Sequence, residues 1–191
     1  MVGGGPELPG LNRTPLLDTP EAALNQAFAW AVRRDPAGVR ADPSDGSGFS
    51  EDDFDELLES ARTFRRIGPS AGLEPQGFLY QVVAGLFGIR ADGAGGRFEV
   101  VPWVVDTWRG MALRRVRCHR TILDVELRIR SEWVTLRFEV GFGPAIPLAV
   151  QVRNTGSISQ VTIDEVPVEG DRAVLTLQQQ HEVTFFLGSR V

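Results

Sequence analysis

The residues able to do chemistry fall into a few groups. Carboxylates crowd one stretch: Asp42, Asp45, Glu51, Asp52, Asp53, Asp55 and Glu56. Glycoside hydrolysis needs two carboxylates facing each other about 5–10 Å apart on rigid supports. Most of this group instead opens a helix, where negative charge is stabilised by the helix dipole whatever its role. Capping and solvation are therefore the expected roles. Asp45-Gly46-Ser47-Gly48 invites a calcium-loop reading. With Gly46 at the sixth position, however, the first and third ligands would be Ala41 and Pro43, which carry no side-chain oxygen. Cys118-His119, with His181 downstream, could supply a nucleophile or metal ligands, but neighbours on a strand point to opposite faces. A buried thiol and a rim imidazole are expected. Gly93 to Gly96 leads from a helix end into a strand, the wrong order for a loop that cradles phosphate at a helix N-terminus. No catalytic residue, metal ligand or cofactor is expected.

The four tryptophans, Trp30, Trp103, Trp108 and Trp133, admit two readings. They could form a platform for stacking sugar rings, or fasten a helical part onto a sheet by burying large rings between them. The second is preferred, and glycan or interface contact is kept as the alternative.

Composition narrows the classes. The chain has 191 residues and a net charge of −5, and every basic residue is arginine. An acidic balance argues against a general nucleic-acid surface. Arg114, Arg115, Arg117, Arg120, Arg128 and Arg130 do cluster, but in alternating strand sequence with Asp124 and Glu126 among them. That pattern predicts a solvated sheet face laced with ion pairs. A single cysteine excludes an internal disulfide, the N-terminus does not read as a signal peptide, and no apolar run approaches the roughly 20 residues needed to span a bilayer. A soluble cytoplasmic protein of one domain, or of one domain with a helical appendage, is the expectation.

The elements that must position these residues change character along the chain. Residues 1–17 are rich in Gly and Pro and read as a flexible arm or a surface strap. A helix is expected from Asp18 or Thr19 as N-cap, with Pro20 and Glu21 in its first turn and Leu24, Ala27, Phe28, Ala31 and Val32 as its apolar stripe; Asp35-Pro36 ends it. Ser50 caps a second helix with Asp53 at the capping-box position. Its buried face is Phe54, Leu57, Leu58, Ala61 and Phe64, and Gly68-Pro69 stops it. A third helix runs from Pro75 or Gln76 to Phe87, with Leu79, Val82, Val83 and Leu86 inward and Gly88 as a left-handed cap. From Phe98 the period becomes two. Strands are expected over 111–117, 121–130 and 133–140, around Ile146 to Val152, at Val161 and Ile163, over 173–177, and at Val183 to Leu187. Seven or eight short strands at this spacing predict an antiparallel sandwich.

One stretch resembles a known family. Gly85-Leu86-Phe87-Gly88-Ile89 with Asp92, then Pro102 and Trp108, then Met111, Leu113, Val116 and Arg117, resembles the barrel exit and following β-sandwich of the six-hairpin glycosidases. Those are (α/α)6-toroid carbohydrate enzymes, with the glucosidase, rhamnosidase and disaccharide-phosphorylase branches nearest. Leu24 to Trp30 is similar to their first toroid helix. Where family members often carry a second proline before the tryptophan, this chain has Val105 or Asp106.

Magnitude limits what the resemblance implies. Twelve helices of about 12 residues with connections of about 5 need on the order of 200 residues before any sandwich begins. Only about half that number precedes Phe98, so about three helices fit and the catalytic toroid does not. The expected fold is α+β: a helical segment over 18–96 packed on an antiparallel β-sandwich over 97–191. The expected function is a non-catalytic accessory or structural module related to these enzymes, associating with a carbohydrate-active enzyme or with itself. The alternatives are a glycan-binding sandwich that takes an oligosaccharide on its tryptophans, and a glycosidase or phosphorylase whose site another chain completes. Neither nucleic acid nor a membrane is an expected partner.

Overall fold

In the computed structural model the described residues are 14–41, 48–91 and 96–188. Asp42, Asp45, Asp92, most of the 1–17 arm, the proposed calcium loop up to Ser47, and Gly93 to Gly95 lie outside them. The elements run β1 (Leu16–Asp18), α1 (Ala22–Arg34), α2 (Glu51–Ile67) and α3 (Pro75–Tyr80), the last continuing as a π-helical segment over Gln81–Leu86. Then come β2 (Ile89–Ala91), β3 (Phe98–Val100), β4 (Gly110–Cys118), β5 (Thr121–Ile129), β6 (Trp133–Phe142) and β7 (Ile146–Val150). β8 (Ile158–Ile163), β9 (Val166–Val168), β10 (Ala173–Leu177) and β11 (Gln180–Leu187) follow among the described residues. Seven strands form one sheet in the order β1-β4-β5-β6-β11-β8-β9, and four form a second, β10-β7-β3-β2. The fold is α+β with a β-sandwich, and one hydrophobic cluster joins the helices to both sheets. All pairs are antiparallel except β3–β7.

Helical periodicity decides the helices' inward faces. α1 buries Leu24, Ala27, Phe28, Ala31 and Val32 along with Ala23, and α2 buries the five predicted residues, from Phe54 to Phe64. The Ser50–Asp53 capping box forms in full: the Asp53 amide donates to Ser50 Oγ at 3.2 Å, and the Ser50 amide donates to Asp53 Oδ2 at 2.8 Å. The start of α1 differs from expectation. Asp18 is held in β1 opposite Ala112, and the helix begins after Glu21, which makes no side-chain cap. Thr19 instead clasps Asn25, donating its hydroxyl to Oδ1 at 2.8 Å and accepting from Nδ2 on its carbonyl at 2.8 Å.

Most strands lie where the period-two pattern places them, with two kinds of difference. β1, β2 and β9 are three residues each, too short to show alternation, and β1 and β2 come from segments read as arm and helix. β4 also breaks its own period. Leu113 and Val116 are both fully buried although three apart, because a bulge at Arg114–Arg115 inserts one residue. Arg115 takes φ 64° there, and its amide donates to Asp124 Oδ1 at 2.7 Å. The bulge restores inward parity, so Val116 and Cys118 face the core.

The helical segment meets the sandwich at Gly85 to Val104. Gly88 takes φ 60°, and a Cβ on it would lie 2.1 Å from the Val101 carbonyl oxygen. A Cβ on Gly85 would lie 2.5 Å from the Phe49 ring. Backbone bonds then stitch the joint: Val101 donates to Gly88 O, Trp103 to Leu86 O, Arg153 to Pro102 O and Val104 to Arg153 O. The Arg153 guanidinium donates to Val101 O at 3.1 Å and to Gly85 O at 3.5 Å; burial, with Arg90 nearby, lowers its pKa below the usual arginine value. Gly88→Ala combines left-handed strain with a backbone clash. It is expected to cost about 2–3 kcal/mol in urea unfolding, whereas Gly72→Ala, also left-handed but open around its Cβ, should cost less.

Candidate functional site

The four tryptophans occupy four separate environments. Trp30 on α1 lies 4.9 Å from the Phe64 ring of α2, with the Arg34 guanidinium 5.7 Å from its centroid. Trp103 meets Phe49 edge-on at 5.9 Å, and Trp108 meets Phe54 of α2 edge-on at 5.7 Å. Trp133 opens β6 opposite Phe186, with Arg130 at 5.6 Å. Trp103 and Trp108 therefore join the extended segment to the helical part, Trp30 joins two helices, and Trp133 stays on the sheet. All four are partly buried.

The acidic group is structural where it is described. Glu51, Asp52 and Asp53 fill the first turn of α2. The Ser50 hydroxyl and amide both donate to Asp53 and hold its carboxyl below the usual carboxylate range. That interaction stabilises the fold above the unfolded carboxyl's pKa and is lost as pH falls through the lower, folded value. Cys118 is fully buried on β4, and burial pushes its thiol up to about 12. Its neighbour His119 turns out to solvent at φ 54°, edge-on to Phe98 at 5.0 Å. His181 sits elsewhere, its Nδ1 2.6 Å from Asp164 Oδ2. Among the described residues no group of three or more His, Cys, Asp or Glu could hold a metal ion. The arginine cluster is the expected ladder: Arg114 lies 3.7 Å from Asp124 and 3.9 Å from Glu126, and Arg128 is 3.0 Å from Glu126. Such exposed pairs contribute at most about 1 kcal/mol each.

One feature escaped sequence reasoning. A cleft of about 840 Å³ opens at the end of the sandwich where β4, β6 and β8 begin and β5 and β11 end. Asp106 to Arg109, the Ser131–Glu132 turn, Asn154 to Gly156 and the end of β11 line it. Trp108 is the only one of the four tryptophans in its wall. Ser131–Glu132 and Asn154-Thr155-Gly156 carry turn-forming residue types, but nothing local says that separate turns share one end of a sheet. The walls are well held. Asn154 Nδ2 donates to Val104 O at 2.9 Å, Leu187 N to Glu132 O at 2.8 Å, and Ile129 N to Arg109 O at 2.9 Å.

Two measurements check these placements. Iodoacetamide at neutral pH is expected to leave Cys118 unmodified in the folded protein and to alkylate it in denaturant; rapid native labelling would contradict its burial. Trp103→Ala is expected to lose about 2 kcal/mol of stability, below the value for a fully buried ring, with a clearly smaller loss for Trp133→Ala, which has no helical ring partner.

No protein-family model matches the sequence, and no curated protein matches it. Solved structures to which the chain is similar include a GH127 β-L-arabinofuranosidase from Geobacillus stearothermophilus T6, at 14% identity over 59% of this chain and a TM-score of 0.38. An α-L-rhamnosidase from Dictyoglumus thermophilum matches at 9% identity over 59%, TM-score 0.41. An α-L-rhamnosidase from Streptomyces avermitilis, solved with L-rhamnose, matches at 15% over 72%, TM-score 0.38. No helix among the described residues is long and apolar enough to cross a membrane. The chain spans 18%, 14% and 15% of the length of those three enzymes.

Proposed function

We propose that this chain is a non-catalytic structural module, related to the C-terminal part of six-hairpin carbohydrate enzymes, that acts by associating with another protein, in the first instance a second copy of itself. The observation that carries association is strand β10. It pairs with β7 on one side, and among the described residues no strand pairs with its other side. Its sequence, Ala173-Val-Leu-Thr-Leu177, has neither charge nor proline, and Val174 is 60% exposed. The other free edges are blunted: β1, β2 and β9 have three residues each, β2 carries Arg90 and β9 carries Pro167. A five-residue uncharged edge offers unpaired N–H and C=O groups to an incoming strand. The same edge would accept a strand from a carbohydrate-active enzyme.

A non-catalytic role is supported by the use already made of the reactive groups. Asp53 is committed to a cap and Cys118 to the core. The relation to carbohydrate enzymes rests on the resemblance carried by Gly85 to Ile89, Pro102, Trp108 and Arg117.

Light scattering over a concentration series is expected to detect a dimer that Val174→Lys returns to a folded monomer, with loss of the concentration dependence of Tm that dimerisation confers. A monomer at every concentration would overturn self-association. A dimer that survives Val174→Lys would overturn β10 as the contact.

A further inference from the structure

We infer that two copies of this chain meet along the side of the sandwich formed by β9 and β10. There β10 pairs antiparallel with β10 of the partner about a two-fold axis, and Leu175 faces the partner's Leu175. This pairing rests on the self-association proposed above and gives it a surface, a register and a size.

Both layers of the sandwich open on that side. β10 packs against β8 and β11 of the larger sheet, and β9 is the strand beyond β8. The two most exposed large apolar side chains among the described residues lie there, Val166 on β9 at 65% and Val174 on β10 at 60%. Leu175 points inward with Ala173 and Leu177, yet it is only partly covered. Charge is turned away from the edge: Arg172 reaches back across β7 to Glu99 on β3, at 2.8 Å. Around the cleft, by contrast, Asp106, Arg109 and Glu132 make no ion pair or hydrogen bond among the described residues. Those are solvated charges of balanced sign, which favour no one partner.

Parity and strand length set the register. For the inner faces of both copies to stay on one side of a joined sheet, facing residues must share parity. The two-fold axis then passes beside Val174, Leu175 or Thr176. Pairing about Leu175 sets all five residues of Ala173–Leu177 opposite one another. Pairing about Val174 or Thr176 leaves only 173–175 or 175–177 matched within the strand. About Leu175, Val174 faces the partner's Thr176, a β-branched pair on the outer face. Arg172 meets the partner's Gln178 rather than another charge. In the second layer Pro167 has no N–H to pair, so β9 adds the apolar contact of Val166 alone.

The assembly closes at two. The joined sheet runs β2-β3-β7-β10 and continues into the same four strands of the partner in reverse order. Such a contact uses the same edge of both copies, so no third copy can add through it. The outer ends of the joined sheet are β2, a three-residue strand carrying Arg90.

The test places single cysteines in the full chain, with Cys118 buried and out of reach. Under mild oxidation, an equimolar mixture of Val174→Cys and Thr176→Cys is expected to form the mixed disulfide, with little crosslinking of either variant alone. Val166→Lys should weaken the dimer by roughly tenfold, as for a valine that loses its burial, with the circular dichroism of the folded chain retained. Light scattering should level off at twice the mass of one chain. A monomer at every concentration would overturn the association itself. A dimer in which either cysteine variant crosslinks best to itself leaves association standing and overturns this register. A dimer with no crosslink at all, or one that Val166→Lys leaves at full strength, overturns the β9–β10 side as the contact. A mass that grows beyond two copies overturns closure.

Discussion

The structure depends on a close approach of backbone to backbone at Gly88 and Val101. Helical and extended segments differ in period, so a chain passing from one to the other must change direction abruptly without leaving a void. Gly88 makes that turn at a positive φ, with the Val101 carbonyl in the space where a Cβ would sit. Gly85, one turn earlier, does the same for the Phe49 ring, which in turn meets Trp103. Leu86, Phe87 and Ile89 are fully buried around them. The run Gly-Leu-Phe-Gly-Ile thus has a mechanical reading that needs no catalysis: two positions where a side chain cannot fit, alternating with three that fill the core.

The same joint accounts for the division of labour among the reactive side chains. Once α2 is held against the extended segment through Phe54 and Trp108, its acidic first turn faces solvent and serves the Ser50 cap. Cys118 is inward because the bulge before it shifts the strand by one residue. What remains uncommitted is gathered where several turns meet, at the end of the sandwich, and along β10 at its side. Neither location has a sequence signature, since the cleft joins residues up to 84 positions apart, from Val104 to Gly188.

Local patterns were reliable where a segment was long enough to repeat. The stripes of α1 and α2, the capping box and the alternation of β5 match the structure, while β6 also buries Thr135 and leaves Val140 only partly covered. The failures have particular causes. β9 follows the two-residue turn Asp164–Glu165, both at positive φ, where Asn-Gly would have announced a hairpin. Asp164 tolerates it by accepting the Glu182 amide and pairing with His181. The start of α1 was misplaced because Asp18 and Thr19 are good caps in isolation, but pairing with β4 claims the first and the Asn25 clasp claims the second.

The sequence by itself determined the longer helices and strands, which of their faces turn inward, and that Gly85 to Ile89 is a junction. These follow from steric and hydrophobic preferences acting over a few residues, which the chain carries wherever it is placed. Only the tertiary structure decided that β3 runs parallel to β7, that the four tryptophans part company, that β10 is left at an edge, and that an unpaired set of charged groups surrounds one cleft. Those outcomes depend on which distant segments exclude water from each other, and spacing along a single chain does not encode that choice locally.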